Sequence, residues 1–83
     1  MAEEELLQYI AENLVNSPED VRVRRKDSGR NIVLELSVAS DDMGRVIGRS
    51  GRVANSIRAL LRAATPSEEF GQERRRRVIL EIE

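Results

Sequence analysis

The stretch GRVIGRSGRVANSIRALLRAA, from Gly44 to Ala64, carries five arginines and no acidic residue, in a chain whose formal net charge is −1. Within it Gly48 and Gly51 stand three apart, with Arg49 and Ser50 between them and Arg52 following. Glycines at this spacing let a chain leave one helix and open another through a tight turn with no Cβ in the way. Amide N–H groups at the start of a helix lack intrahelical acceptors and sit at the positive end of its dipole, so such a turn attracts anions. Arg49, Ser50 and Arg52 add a charge, a hydroxyl donor and a second charge, and an arginine fork suits phosphate oxygens. The chemistry on offer is phosphate capture rather than bond making. It is not that of a nucleotide P-loop, because no G-K-[ST] follows the glycines.

A G-x-x-G alone arises often by chance, so the rest of the chain must narrow the reading. There is no Cys and no His, which removes disulfides, thiolate or imidazole metal sites and the usual nucleophile and base pairs. Carboxylates are plentiful, but none is visibly paired against an apolar pocket. No catalytic residue, metal or cofactor is therefore expected. Eighty-three residues support one domain, 1–83, with one modest core and little room for a catalytic cleft. The opening MAEEELLQY has neither a basic flank nor an apolar run, and no stretch approaches the roughly 20 apolar residues of a membrane span. A cytoplasmic protein without membrane contact is the expectation.

The near-neutral total conceals a segregation of charge. Residues 1–20 hold six acids and no base, residues 43–67 hold five arginines and no acid, and Arg74 to Arg77 form a second basic run. Such asymmetry suits one face turned to a polyanion and another kept away from it.

The elements that must position the glycines can be read from hydrophobic spacing. Leu6, Leu7, Ile10, Leu14 and Val15 recur at helical intervals behind three glutamates, predicting a helix over 3–15. VRVRRK and IVLELSV alternate on either side of the turn DSGRN and predict an antiparallel hairpin. Ser40, Asp41 and Asp42 are N-cap candidates for a short helix through Met43, Val46 and Ile47. Beyond the glycines Val53, Ile57, Leu60, Leu61 and Ala64 define an amphipathic helix over about 52–64. RVILEIE then alternates as a last strand, with Val78, Leu80 and Ile82 inward. The order is α-β-β-α-α-β. A helical connection between the second and third strands allows them to lie parallel through a right-handed crossover. The expected fold class is α+β, a three-stranded mixed sheet with helices on one face. Val33 and Ile79 point to the other face, either as exposed strand residues or as an apolar contact such as a dimer.

A helix-turn-helix also joins two short helices through a Gly turn, but a hairpin and a final strand are not its usual setting. Taken together the residues resemble a KH domain: VIGRSGRVANSIRALL carries a V-I-G-x-x-G signature with a helix on each side, and the element order is the type II arrangement. DDMGRVIGRSGR and the terminal VILEI extend the likeness to the small bacterial single-KH RNA-binding proteins of the KhpA (YlqC) type, over essentially the whole chain. The resemblance implies a non-enzymatic protein that holds about four unpaired nucleotides of single-stranded RNA between the G-x-x-G helices and the sheet. Gly48, Arg49, Ser50 and Gly51 would then clamp phosphates, Val46, Ile47 and Ala54 would floor the groove, and Arg45 and Arg52 would flank it. Arg75 and Arg77 are possible additional contacts, whereas Arg58 and Arg62 read as a solvated helix face. The chain departs from the family pattern at Ala54, where many KH domains have a larger aliphatic residue. Tyr9 and Phe70 are the only aromatics, so the chain cannot build the stacking platform of other RNA-binding folds. The resemblance further implies RNA chaperone or regulatory work linked to cell-envelope homeostasis and cell shape, and a KhpB (Jag)-type partner protein. The competing reading is a protein-interaction or homodimerisation subunit in which RNA contact is minor.

Overall fold

The computed structural model describes residues 2–65 and 77–83. Helix α1 (Glu3–Leu14) begins with three glutamates at the positive end of its dipole, and the Glu5 carboxylate reaches back to accept the Ala2 N–H at 3.1 Å. It ends one residue before the spacing predicts. Val15 is already extended, and its N–H closes the last turn on the Ala11 carbonyl. A 3-10 turn at Pro18–Asp20 leads into β1 (Arg22–Ser28).

The hairpin to β2 (Asn31–Ser37) is tighter than the five-residue turn expected. Asp27, Ser28 and Asn31 all join the ladder, and only Gly29 and Arg30 turn, because Gly29 takes a φ of +58°. A 3-10 turn (Ser40–Asp42) then opens α2 (Met43–Ile47). After the loop comes α3 (Arg52–Ala64), and β3 (Arg77–Ile82) closes the order.

The sheet runs β1-β2-β3, antiparallel then parallel, as the helical crossover allows. Central β2 alternates strictly, burying Ile32, Leu34 and Leu36 beneath the helices while Asn31, Val33, Glu35 and Ser37 stay half-buried. Leu7 and Ala11 of α1, Val46 of α2, Ile57 and Leu61 of α3 and Leu80 of β3 complete that core. On the other face Val33 and Ile79 are register partners and shield each other to half-buried, so neither is the fully exposed strand residue that alternation allowed.

Two polar clusters tie distant segments to this frame. The Arg25 guanidinium donates to Glu3 (3.1 Å) and Glu4 (2.7 Å) through one nitrogen and to Asp27 (2.9 Å) through another, joining α1 to the hairpin. The hydrogen bond from Arg25 holds the Glu4 carboxyl below its ordinary range, and Asp27 and Glu4 together raise Arg25. Asp42 is the second, and it bears on the site.

Candidate nucleic-acid interface

The short α2 stops because Gly48 leaves helical space, at φ +77° and ψ 173°, after its N–H has bonded the Gly44 carbonyl at 2.9 Å. Nothing but glycine fits there. A Cβ would stand 2.5 Å from Val53 Cγ2 and 2.8 Å from the Val53 backbone nitrogen. Arg49–Gly51 then form a 3-10 turn, with the Gly51 N–H on the Gly48 carbonyl (3.2 Å) and the Arg52 N–H on that of Arg49. Ser50 (φ 57°, ψ 26°) and Gly51 (φ 77°, ψ 14°) are both left-handed, and a Cβ at Gly51 would meet nothing within 4 Å.

The two glycines thus serve different ends. Gly48 lets the backbone close on α3, and Gly51 keeps open space beside the turn. The turn itself consumes some of the amides that a plain helix start would offer. The Arg49 and Ser50 N–H groups remain as donors that the turn does not use.

Around this turn the structure gathers Arg49, Ser50 and Arg52 as exposed side chains, with Ile47 half-buried beside them. It does not bring Val46 to the surface. Val46 is fully buried and Ala54 is 4% exposed, so the floor expected from Val46, Ile47 and Ala54 presents mainly Ile47, with Val46 supporting it from the core. The departure at Ala54 follows from the same packing, since a small residue sits there beneath the surface.

Arg45 lies on the exposed side of α2, and its Nε is 3.2 Å from Asp42 Oδ1. Asp42 itself is 2% exposed. Its two oxygens accept the Asn16 and Ser17 N–H groups, each at 3.1 Å, and it makes no cap bond to α2. What reads in sequence as an N-cap therefore fastens the turn after α1 to the start of α2 and holds one arginine near the loop. The DD pair before the glycine helices is the only signal for it, and its partners lie about 25 residues away.

Arg58 also departs from expectation. It is half-buried, bonds Asn55 Oδ1 at 3.0 Å and reaches the Leu80 carbonyl on the outer edge of β3 at 3.4 Å, so it ties α3 to an edge strand. Arg62 is exposed, as expected. Arg77 is exposed and starts β3, with its N–H on the Arg30 carbonyl at 2.8 Å. Because β2 and β3 are parallel, α3 must run back along the sheet between the loop and β3. Its 13 residues span about 20 Å, which places Arg77 at the hairpin end and away from the glycine turn. Arg75 lies outside the described residues. Among the described residues no His, Cys, Asp and Glu group is arranged to hold a metal. None of the described helices is long and apolar enough to cross a membrane.

Comparison with known proteins reaches the same place by another route. The chain is 42% identical to the RNA-binding protein KhpA of Clostridium acetobutylicum over 78 residues, 94% of this chain and 96% of the relative. It is 44% identical to that of Halalkalibacterium halodurans, covering 93% of each chain, and 39% identical to that of Listeria monocytogenes, covering 95% and 96%. No solved structure matches. The family described as "KhpA/KhpB, KH domain" matches residues 4–82, nearly every element built above, and the chain belongs to that family.

Proposed function

We propose that this protein binds single-stranded RNA through the turn Gly48–Gly51 and acts without catalysis, as a chaperone or post-transcriptional regulator. The observation that carries the reading is the turn itself. Two left-handed residues leave open backbone at Gly51, ringed by exposed arginines, in a stretch without an exposed acid. The relatives' shared name, RNA-binding protein KhpA, supports the substrate class. Arg45, Arg49 and Arg52 then attract phosphates, the turn amides bind one of them, and Ile47 meets a base. Arg77 extends the phosphate path only for a strand long enough to reach the hairpin end.

A KhpB-type partner belongs to the same proposal, supported by a family that joins KhpA and KhpB under one description. A link to envelope homeostasis and cell shape, which rests on resemblance, and a cytoplasmic location complete it, and the half-buried Val33–Ile79 pair offers the contact for a homodimer. The test is a salt titration with single-stranded and duplex RNA of equal length. One short groove neutralises few phosphates, so log K is expected to fall with log[salt] at a slope of about −1.5 to −3. Duplex is expected to bind more weakly, its bases being paired. Equal affinity for both would reduce the site to general charge attraction.

A further inference from the structure

We propose that the outer side of α1, with Val23 of β1, is a docking groove for a short arginine- or lysine-bearing segment of another protein. Glu4, Glu5, Gln8, Tyr9, Glu12 and Val23 line a shallow groove of about 290 Å³. Val23 and Tyr9 bring apolar side chains to it, and Glu4, Glu5 and Glu12 bring three carboxylates.

Three observations select a cationic peptide. First, the lining carboxylates outnumber the cations that meet them among the described residues. Glu4 shares the Arg25 guanidinium with Glu3. Glu5 accepts the Ala2 N–H and Glu12 the Gln8 amide, and neither has an ion-pair partner among the described residues. Second, the chain's single tyrosine is 61% exposed, with its ring outside the core. Third, Glu5, Tyr9 and Glu12 follow at i, i+4 and i+7, so a carboxylate stands one turn to either side of the ring. A guanidinium lying over an aromatic face and reaching such a carboxylate gains both attractions.

The dimensions fit an extended chain. Glu5 and Glu12 are about 10.5 Å apart along the helix, and basic residues at i and i+3 of a polyproline II peptide share one face about 9 Å apart. A nucleic acid is repelled by this face. The groove also lies at the β1 edge, whereas the glycine turn leads into α3, which ties to β3 through Arg58. Peptide and RNA can therefore be held together.

The test uses the full chain with a capped ten-residue Gly/Ser peptide carrying arginine at its fourth and seventh positions, and a control with neutral citrulline there. With no tryptophan present, Tyr9 fluorescence reports on the groove directly, and amide shifts map the contact. Shifts confined to residues 4–12 and Val23 are expected with the arginine peptide only, unaltered by a saturating single-stranded oligonucleotide. Tyr9→Ala is expected to weaken the peptide about two- to five-fold, and Glu5→Gln with Glu12→Gln by a similar factor. Tyr9→Phe should restore it. Shifts scattered over the surface, unchanged affinity in Tyr9→Ala, or competition by RNA would each overturn the proposal. So would a dilution series of the protein alone that moves the same amides, which would give the groove to a second copy.

Discussion

The glycine turn offers a prediction in which stability and binding separate. At Gly48 the backbone occupies a region open in practice to glycine alone, and an added Cβ would lie 2.5 Å from Val53 Cγ2, 2.8 Å from Val53 N and 2.9 Å from Val53 Cβ. A backbone nitrogen cannot step aside, so the first turn of α3 must move. Backbone strain of about 1–3 kcal/mol and an overpacking cost of about 1–3 kcal/mol give Gly48→Ala a loss of about 2–6 kcal/mol. Gly51→Ala meets nothing within 4 Å, and only its left-handed φ of +77° costs, about 1–2 kcal/mol.

Arg49 and Ser50 are exposed, and aspartate tolerates the left-handed backbone at Ser50, so Arg49→Asp with Ser50→Asp is expected to leave stability within about 0.5 kcal/mol. The pair nonetheless changes the loop by three charges. At about 5 Å from a phosphate each is worth about 0.8 kcal/mol in water, roughly halved by physiological salt. Adding about 1 kcal/mol for the lost arginine donors brings the total to about 2 kcal/mol, a roughly thirty-fold loss of RNA affinity. Urea unfolding of all three variants and fluorescence anisotropy with a labelled single-stranded RNA read the two quantities. Equal stability of Gly48→Ala and Gly51→Ala would refute the steric argument. Undiminished RNA binding by the folded double aspartate variant would refute the clamp.

Asp42→Asn removes one acceptor from the Asn16 and Ser17 amides and sets an NH2 against them, so urea unfolding is expected to show a loss of about 1–3 kcal/mol. Acid titration should expose the Arg25 cluster. With the folded Glu4 carboxyl held below its unfolded value of 4.5, its contribution is complete above that pH and is lost as pH falls through the lower folded value. Denaturation midpoints measured from pH 6 to 3 should therefore drop more steeply in the wild type than in Glu4→Gln. Leu34→Ala, at a fully buried position of the central strand, is expected to cost about 2–5 kcal/mol, against about 0.5 kcal/mol or less for Leu60→Ala, where the side chain is 53% exposed. Thermal melts distinguish them.

Element order, the parallel crossover and the place of the glycine turn were all legible in the chain, because each rests on local periodicity or local backbone chemistry. Alternation through IVLELSV forces one face of β2 inward, and the spacing from Val53 to Ala64 admits only a helix with one apolar side. The anion-seeking character of Gly48 to Arg52 likewise comes from neighbours in sequence. What the chain could not show is who meets whom across the fold. Val46 and Ile47 are adjacent and chemically alike, and only packing beneath α3 decides that one is core and the other surface. Gly48 and Gly51 look equivalent in the motif, yet the return of Val53 against the first makes it a steric necessity while the second stays open. Asp42 reads as a cap until the turn after α1 brings two amides to it, and Arg58 reads as solvated until β3 presents a free carbonyl. Each of these depends on contacts between residues distant in sequence, where hydrogen bonds and exclusion of volume act only once the core has closed, and no spacing rule along the chain encodes them.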